Sequence, residues 1–497
     1  MKFHKIFSIA FLCSLGVSSV YGLDITNEEA GFIDRQLTGD YSGVTALTLK
    51  GEVDASDLYL ISQKMPDLTS LDLKDAVIVE YRGTQFQGRS TYPAATIPFG
   101  VFSGMKLENV VVPSQPDLKI ADAAFMNTML TELALPENVT SVGQGAFAGC
   151  DALVEVVMPT CQMGDAVFAD CKALKTVKIA PSITEIPAAT FKGCISLAEV
   201  EGSEGLVVIG DQAFEGDASL KVFGFGSGLR KIGASAFAGT GLTEVTLSEA
   251  ASLTAIGEQS FAQTSATKVE FPDNVTTIGD GAFFGNTNLE YIELPPQLLV
   301  IGQHAFNQIP LKSLTLPESL EEIGNYALLG QNAIDSIALP STLSYIGDGG
   351  MGGMTALRVI DARTLEQIPA LGQNVWEGVD QEAVTLQLSV NSPDFESAAQ
   401  WQDFTIDRPS GIADNTVDNP SEMTVKGRFV GTDLQIESKG AEMDVVRLFD
   451  TAGRMLLTVE PRDTTVVIDT ADYAGGVFIV NVVLDDKTSA TLKLARR

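Results

Sequence analysis

The chain has 497 residues, 45% of them hydrophobic, with 32 Lys and Arg against 64 Asp and Glu for a formal net charge of −32. Such an acidic surface excludes nucleic acid as a partner, because that binding relies on cationic side chains displacing counterions from phosphates. It does not imply disorder, since apolar residues are abundant and recur in phase.

Residues 1–22 read as an export signal. Lys2, His4 and Lys5 precede a short apolar run over residues 6–20, and Val20, Tyr21 and Gly22 occupy the cleavage positions. No later run reaches the ~18 apolar residues that a spanning helix needs. Residues 23–100 read as an N-terminal cap with a first coil. Asn27 is placed to cap a short helix over residues 28–37, and residues 44–49 alternate like a strand. Residues 54–64 look helical, residues 68–73 form the first leucine-rich strand, and residues 74–100 read as an irregular insertion.

A phenylalanine then returns about every 23 residues, at Phe102, Phe125, Phe147, Phe168, Phe191, Phe214, Phe237, Phe261, Phe283 and Phe306, and Leu328 and Met351 keep the beat. A period of this length means a solenoid, because one unit cannot bury its apolar side alone and must stack on its neighbours. Each unit carries a strand-like run, as in residues 130–136 and 311–317, often closed by proline, then an Ile-Gly step such as Ile209-Gly210 or Ile278-Gly279. Glycine is expected to permit a backbone turn at that step, and proline to stop the strand. The phenylalanines are core. Cys150, Cys171 and Cys194 each fall three residues after one of them, so they should form a buried column. Whether these three or Cys161 form disulfides is open at this level.

The unit standing as residues 130–136, Val142-Gly143, Ala146-Phe147 and Cys150 resembles the BspA-type leucine-rich repeats of bacterial surface proteins, and the likeness runs over about residues 45–406. Leu386, Leu388, Phe395, Trp401 and Phe404 resemble the segment that closes such arrays. The sequence departs from the pattern at Ala266, where leucine is expected, and at Met351, which sits among glycines. The resemblance implies an α/β-type leucine-rich repeat solenoid, mainly β with short turns, of about twelve 22–24-residue coils over residues 101–406. It also implies surface display, with host or bacterial surface proteins as partners.

Residues 407–425 read as a polar linker, and beyond it the period vanishes. Strands at residues 445–450, 466–468 and 476–480, with a closing segment at 492–497, read as a small antiparallel β-sandwich over residues 426–497. Asp450, Gly453 and Arg454, then Gly476-Val477-Phe478 and Lys493, resemble the C-terminal sorting domain of type IX secretion cargo, with phenylalanine in place of the usual tyrosine. That resemblance implies passage to the outer surface of a Gram-negative bacterium and attachment to surface lipopolysaccharide.

No catalytic or cofactor motif stands out: there is no HExxH, phosphate-binding glycine loop or dinucleotide fingerprint. Beyond the export signal the chain has one histidine, His304, at an offset that Gly145 and Gln212 fill in other units, which reads as a surface turn. Nothing builds a Ser-His-Asp or Cys-His arrangement around it. Binding has a better address. The two residues flanking the second leucine of each strand point away from the core and line the concave sheet. They include Glu132, Glu155, Lys178, Glu199, Glu201, Glu244, Lys268, Glu270, Tyr291 and Glu293, an acidic strip with one tyrosine. This strip fits a basic or extended protein surface, with a glycan through Tyr291 or a purely structural surface-layer role as alternatives. Calcium binding by the acidic turns is left open.

Overall fold

A computed structural model describes residues 22–86, 88–408, 424–430, 432–439, 441–450, 454–473, 477–485 and 489–495. The expected export signal, residues 1–21, and positions 409–423 of the expected linker lie outside the described residues. The described residues form two compact units, one up to residue 408 and one from residue 424.

The first unit is a β-solenoid with a single α-helix in its cap. That helix, Ala55–Lys64, starts where Asp54 accepts from the amides of Ser56 and Asp57. The Asp57 carboxylate in turn accepts from Gly31 (2.7 Å) and Ile33 (3.0 Å), tying the helix to the loop before it. The helix expected over residues 28–37 does not form. Gly22–Asn27 is instead a strand paired in parallel with Ala46–Val53, and only the 3-10 turn Ile33–Arg35 follows. An isolated helix of about ten residues is marginal in water, whereas parallel pairing gives residues 22–27 a ladder of hydrogen bonds along the sheet edge. The insertion at 74–100 is also ordered. It contains Ala76–Ile78 and an antiparallel hairpin, Tyr81–Phe86 with Arg89–Tyr92. Phe86 is buried edge-on against Tyr59 of the helix (5.7 Å), Tyr81 (5.8 Å) and Tyr92 (5.6 Å).

Through the array, the expected phenylalanine column is continuous. From Phe102 to Phe306 consecutive rings stack at 5.2–5.8 Å with interplanar angles of 1–24°. All are fully buried, and Leu328 and Met351 extend the column. Trp376 then takes the next place. It meets Trp401 (5.2 Å) and Phe404 (5.1 Å), and Phe395 packs on Trp401 (5.2 Å), so a plug of aromatics closes the array.

The Ile-Gly steps are not turns. They are short strands that stack in parallel, Thr96–Ile97 to Gln162–Met163, Glu185–Ile186 to Lys231–Ile232, and Ala255–Ile256 to Ala370–Leu371, as sheets of four, three and six strands. Nor do these glycines adopt left-handed backbone. A Cβ on Gly164, Gly210, Gly279 or Gly324 would lie 2.7–2.8 Å from the backbone of the preceding coil, so glycine is required for close approach. Asp280 and Asn325 just after such glycines, and Asp122 at the same place after Ala121, accept from the next coil's amides at 2.8 Å. The true turns flank the phenylalanines. His304 and Gln308, on either side of Phe306, have φ of 55° and 61°, a conformation costing a non-glycine residue about 1–2 kcal/mol.

On the other side of each coil lie the leucine-rich runs. They form parallel ladders at Glu155–Val157, Thr176–Lys178 and Glu199–Glu201, at Glu244–Thr246 and Lys268–Glu270, and from Ser336–Ala338 through Val359–Asp361 and Thr385–Gln387 to Thr405–Asp407. Residues 130–136 and 311–317, expected as strands, keep the inward-outward alternation but form no ladder. Each is tied to the preceding coil by one amide, Thr131 to the Glu108 carbonyl (3.1 Å) and Lys312 to that of Glu290 (2.9 Å).

The second unit has two antiparallel sheets. Thr424–Val430, Asp433–Lys439 and Thr465–Asp469 form one; Met455–Val459, Met443–Phe449, Val477–Leu484 and Ser489–Ala495 form the other. Leu434, Ile436, Met443, Val446, Leu448, Ile468, Phe478, Val480, Val482 and Leu484 fill its core. Gly453 and Gly476, which the sequence places in a motif resembling a sorting domain, lie outside the described residues, but the flanking Asp450 and Arg454 pair at 3.1 Å.

Candidate functional site: the concave ladder

The outward positions of the leucine-rich runs stand in two columns. The register places Glu155, Thr176 and Glu199 in one and Val157, Lys178 and Glu201 in the other. Two of the later coils continue these columns as Glu244 with Lys268 and Thr246 with Glu270. Glu132, Tyr291 and Glu293 are outward and exposed too, but in coils without ladder bonds. The strip is less acidic than a list of its residues implies. Lys178 lies between Glu155 and Glu201 and bonds the Glu155 carboxylate at 2.6 Å, while Lys268 pairs with Glu270 at 2.5 Å. The hydrogen bond that Lys178 donates to Glu155 and the charge of that carboxylate, with the nearby charges of Glu201 and Glu199, raise the Lys178 pKa and keep it cationic. Apolar groups are exposed as well: Val157 is 60% exposed, and Val222 74%. Val222 belongs to a coil with phenylalanine at both inward positions, Phe223 and Phe225, and that coil also leaves the ladder.

Beyond the residues expected from the sequence, the columns continue through Ser336 and Ala338, Val359 and Asp361, and Thr385 and Gln387. The signal was available, since Ile334, Ile337 and Leu339 repeat the leucine spacing. Here small residues leave a depression of about 390 Å³, lined by Ser313, Thr315, Asp335, Ser336, Asp361 and Gln387 over Leu314 and Ile337. Arg363 grips Asp361 through two hydrogen bonds (2.8 and 2.6 Å), which holds that carboxyl below its ordinary range. Tyr291, 59% exposed, stands two coils before Ser336, with the Lys312 ammonium 5.5 Å from its ring.

The potentially reactive groups are spent elsewhere. The thiols of Cys150, Cys171 and Cys194 are free and buried, donating to the carbonyls of Phe125 (3.4 Å), Phe147 (3.3 Å) and Phe168 (3.2 Å). The hydrogen bond with Cys171 and burial push the Cys150 thiol up. In the same column stands Asp217, wholly buried, with neither carboxyl oxygen hydrogen-bonded. The amide of Cys194 is spent on the Phe191 carbonyl (3.0 Å), and burial raises the Asp217 pKa well above its ordinary value. His304 sits on the convex turn, bonded to Asn307 (2.9 Å) and stacked on Tyr326 (5.1 Å). Among the described residues no group of three or more His, Cys, Asp or Glu is arranged to hold a metal, and no helix is long and apolar enough to cross a membrane.

Residues 95–163, 160–262 and 254–377 match the family described as BspA type leucine rich repeat region (6 copies). Among solved structures, a leucine-rich repeat protein from Bacteroides ovatus is 22% identical, covering 58% of this chain and 89% of that one with a TM-score of 0.42. A leucine rich cell surface protein from Faecalibacterium prausnitzii is 22% identical over 56% of this chain and 85% of that one, with a TM-score of 0.32. The pneumococcal vaccine antigen PcpA is 17% identical over 74% of each chain, with a TM-score of 0.31. No curated protein matches the chain.

Proposed function

Because the chain belongs to the BspA-type leucine-rich repeat family, we propose that it is an exported, surface-displayed adhesion or protein-binding module that works through its concave ladder. The observation that carries this reading is the exposed register of Glu155, Glu199 and Glu201 around Lys178, continued by Glu244 and Glu270. Side chains fixed at one per strand spacing, ~4.7–4.9 Å, present a regular pattern of charge and small apolar faces, which suits an extended or basic protein surface from a host or another bacterium. The test is capture on immobilised host matrix proteins and on bacterial surfaces at low and high salt. Reversing Glu132, Glu155, Glu199 and Glu244 to lysine should weaken capture, most at low salt, since screening acts over ~8–10 Å. It should cost the fold no more than about 1 kcal/mol, the range for exposed ion pairs such as Glu155 with Lys178. Unchanged capture at both salts would move the site off this face.

The C-terminal sandwich is, on this reading, the type IX sorting domain that delivers the solenoid to the outer surface of a Gram-negative cell. Deleting residues 420–497 should leave the solenoid folded but retained in the periplasm of the native host. Surface labelling that still finds the truncated chain outside would refute it.

A further inference from the structure

We propose that the depression between Ser313 and Gln387 on the concave face is a binding site for a neutral carbohydrate. The sheet is broken at this place. Ser336–Ala338 is the edge strand of its four-stranded sheet. Among the described residues, no backbone hydrogen bond joins residues 334–339 to residues 311–316. Asp335 and Leu339 spend their backbone groups on the following coil, Asp335 accepting from Arg358 (2.8 Å) and Leu339 donating to Asp361 (2.8 Å). Successive residues of a strand turn their backbone groups to opposite neighbours, so those of Ser336 and Ala338 face the open seam. An open edge of this kind retains hydrogen-bonding capacity that a ligand can use.

The chemistry of the lining narrows the ligand. The hydroxyls of Ser313, Thr315 and Ser336 and the amide of Gln387 both donate and accept. Asp335 and Asp361 add acceptors and repel anions such as phosphate or sulfate. A cation is not required either: Asp361 already carries the Arg363 guanidinium, and Asp335 accepts from the Ser336 hydroxyl at 3.0 Å. Leu314, Ile337, Ala338 and Val359 supply apolar surface between these groups. Alternating hydroxyl partners and C–H faces is the pattern a sugar ring presents. The volume, about 390 Å³, falls at the low end of the ~300–1,000 Å³ that ligand pockets span. Tyr291 stands one coil before Ser313, with the part of its ring not covered by Lys312 exposed to a second sugar.

The test uses the full chain and uncharged probes: lactose, maltotriose, mannotriose and chitotriose, each followed by saturation-transfer NMR and calorimetry. At least one should bind. Ser336→Tyr fills the depression from an exposed, outward position and should weaken that binding about tenfold or more, as when a site's polar groups lose their partners. Tyr291→Ala should weaken the trisaccharides more than the disaccharide. Gln387→Leu gives an independent reading if Ser336→Tyr lowers the thermal midpoint. The proposal is overturned if none of the four binds, or if binding is equal in parent, Ser336→Tyr and Gln387→Leu. Binding of oligolysine that Ser336→Tyr abolishes, without sugar binding, would overturn it too. Because the probes carry no charge, the result stands apart from the charge-reversal experiment.

Discussion

The Ile-Gly ladder and the leucine-rich ladder run along the same coils, yet only the first is nearly unbroken. From Ala255–Ile256 to Ala370–Leu371 six strands pair without interruption, while over the same coils the concave side loses its ladder at residues 289–294 and 311–316. Glycine lets neighbouring backbones close to sheet spacing on the first side, and the Asp and Asn side chains that follow bridge to the next coil. No such rule governs the outward positions of the concave side, which hold Glu, Lys, Val, Tyr, Ser and Thr in turn. One face therefore sets the spacing of the coils, and the other is free to vary.

The comparison is tested most severely at the core both ladders share. Phe237→Ala should cost about 3–5 kcal/mol, as for other buried phenylalanines, because Phe237 stacks on both Phe214 (5.2 Å) and Phe261 (5.5 Å). A urea midpoint equal to the parent's would refute the coil register. Next in size is Gly210→Val on the Ile-Gly side, whose Cβ would lie 2.7 Å from the Ala188 amide nitrogen. Overpacking of this kind costs about 1–3 kcal/mol, and a neutral effect would show that coil spacing is set elsewhere.

Asp217→Thr should stabilise the fold by about 1–3 kcal/mol at neutral pH by removing an unsatisfied buried acid, since Thr240 fills the same place one coil on. The sign follows from the raised pKa of the folded state. Its contribution to stability is fully present below the ordinary carboxylate value of about 3.9 and is lost as pH rises through the raised value. The advantage of the variant over the parent should therefore grow from pH 4 to pH 8, measured by urea midpoints at both. An advantage independent of pH would mean that burial does not shift the Asp217 carboxyl away from its unfolded-state titration. Smallest of all, Val157→Ser or Tyr291→Ser on the concave face should move the thermal stability by no more than about 0.5 kcal/mol. A larger loss from either would make the concave face a structural element after all.

Much of this could be read from the residues alone. The phase of the phenylalanines, the helix at residues 54–64, the buried cysteine column and the outward direction of Glu155 or Tyr291 all follow from local periodicity, while the aromatic closure at Phe395, Trp401 and Phe404 comes from the family resemblance. Each coil buries the same positions whatever its neighbour does, so a single unit carries that information. The helix expected at residues 28–37 and the turn at the Ile-Gly step failed because the competing pairing partner lies some 20 residues away, as with Gly22 and Ala46 or Ile278 and Ile301; the insertion pairs locally, Tyr81 with Tyr92, but without the period of the array. A glycine required by a neighbouring backbone looks, in sequence, the same as a glycine required by its own torsion angles. Only the stacked structure decides between them, and only it opens the seam between Ser313 and Ser336, because a missing hydrogen bond belongs to two coils at once.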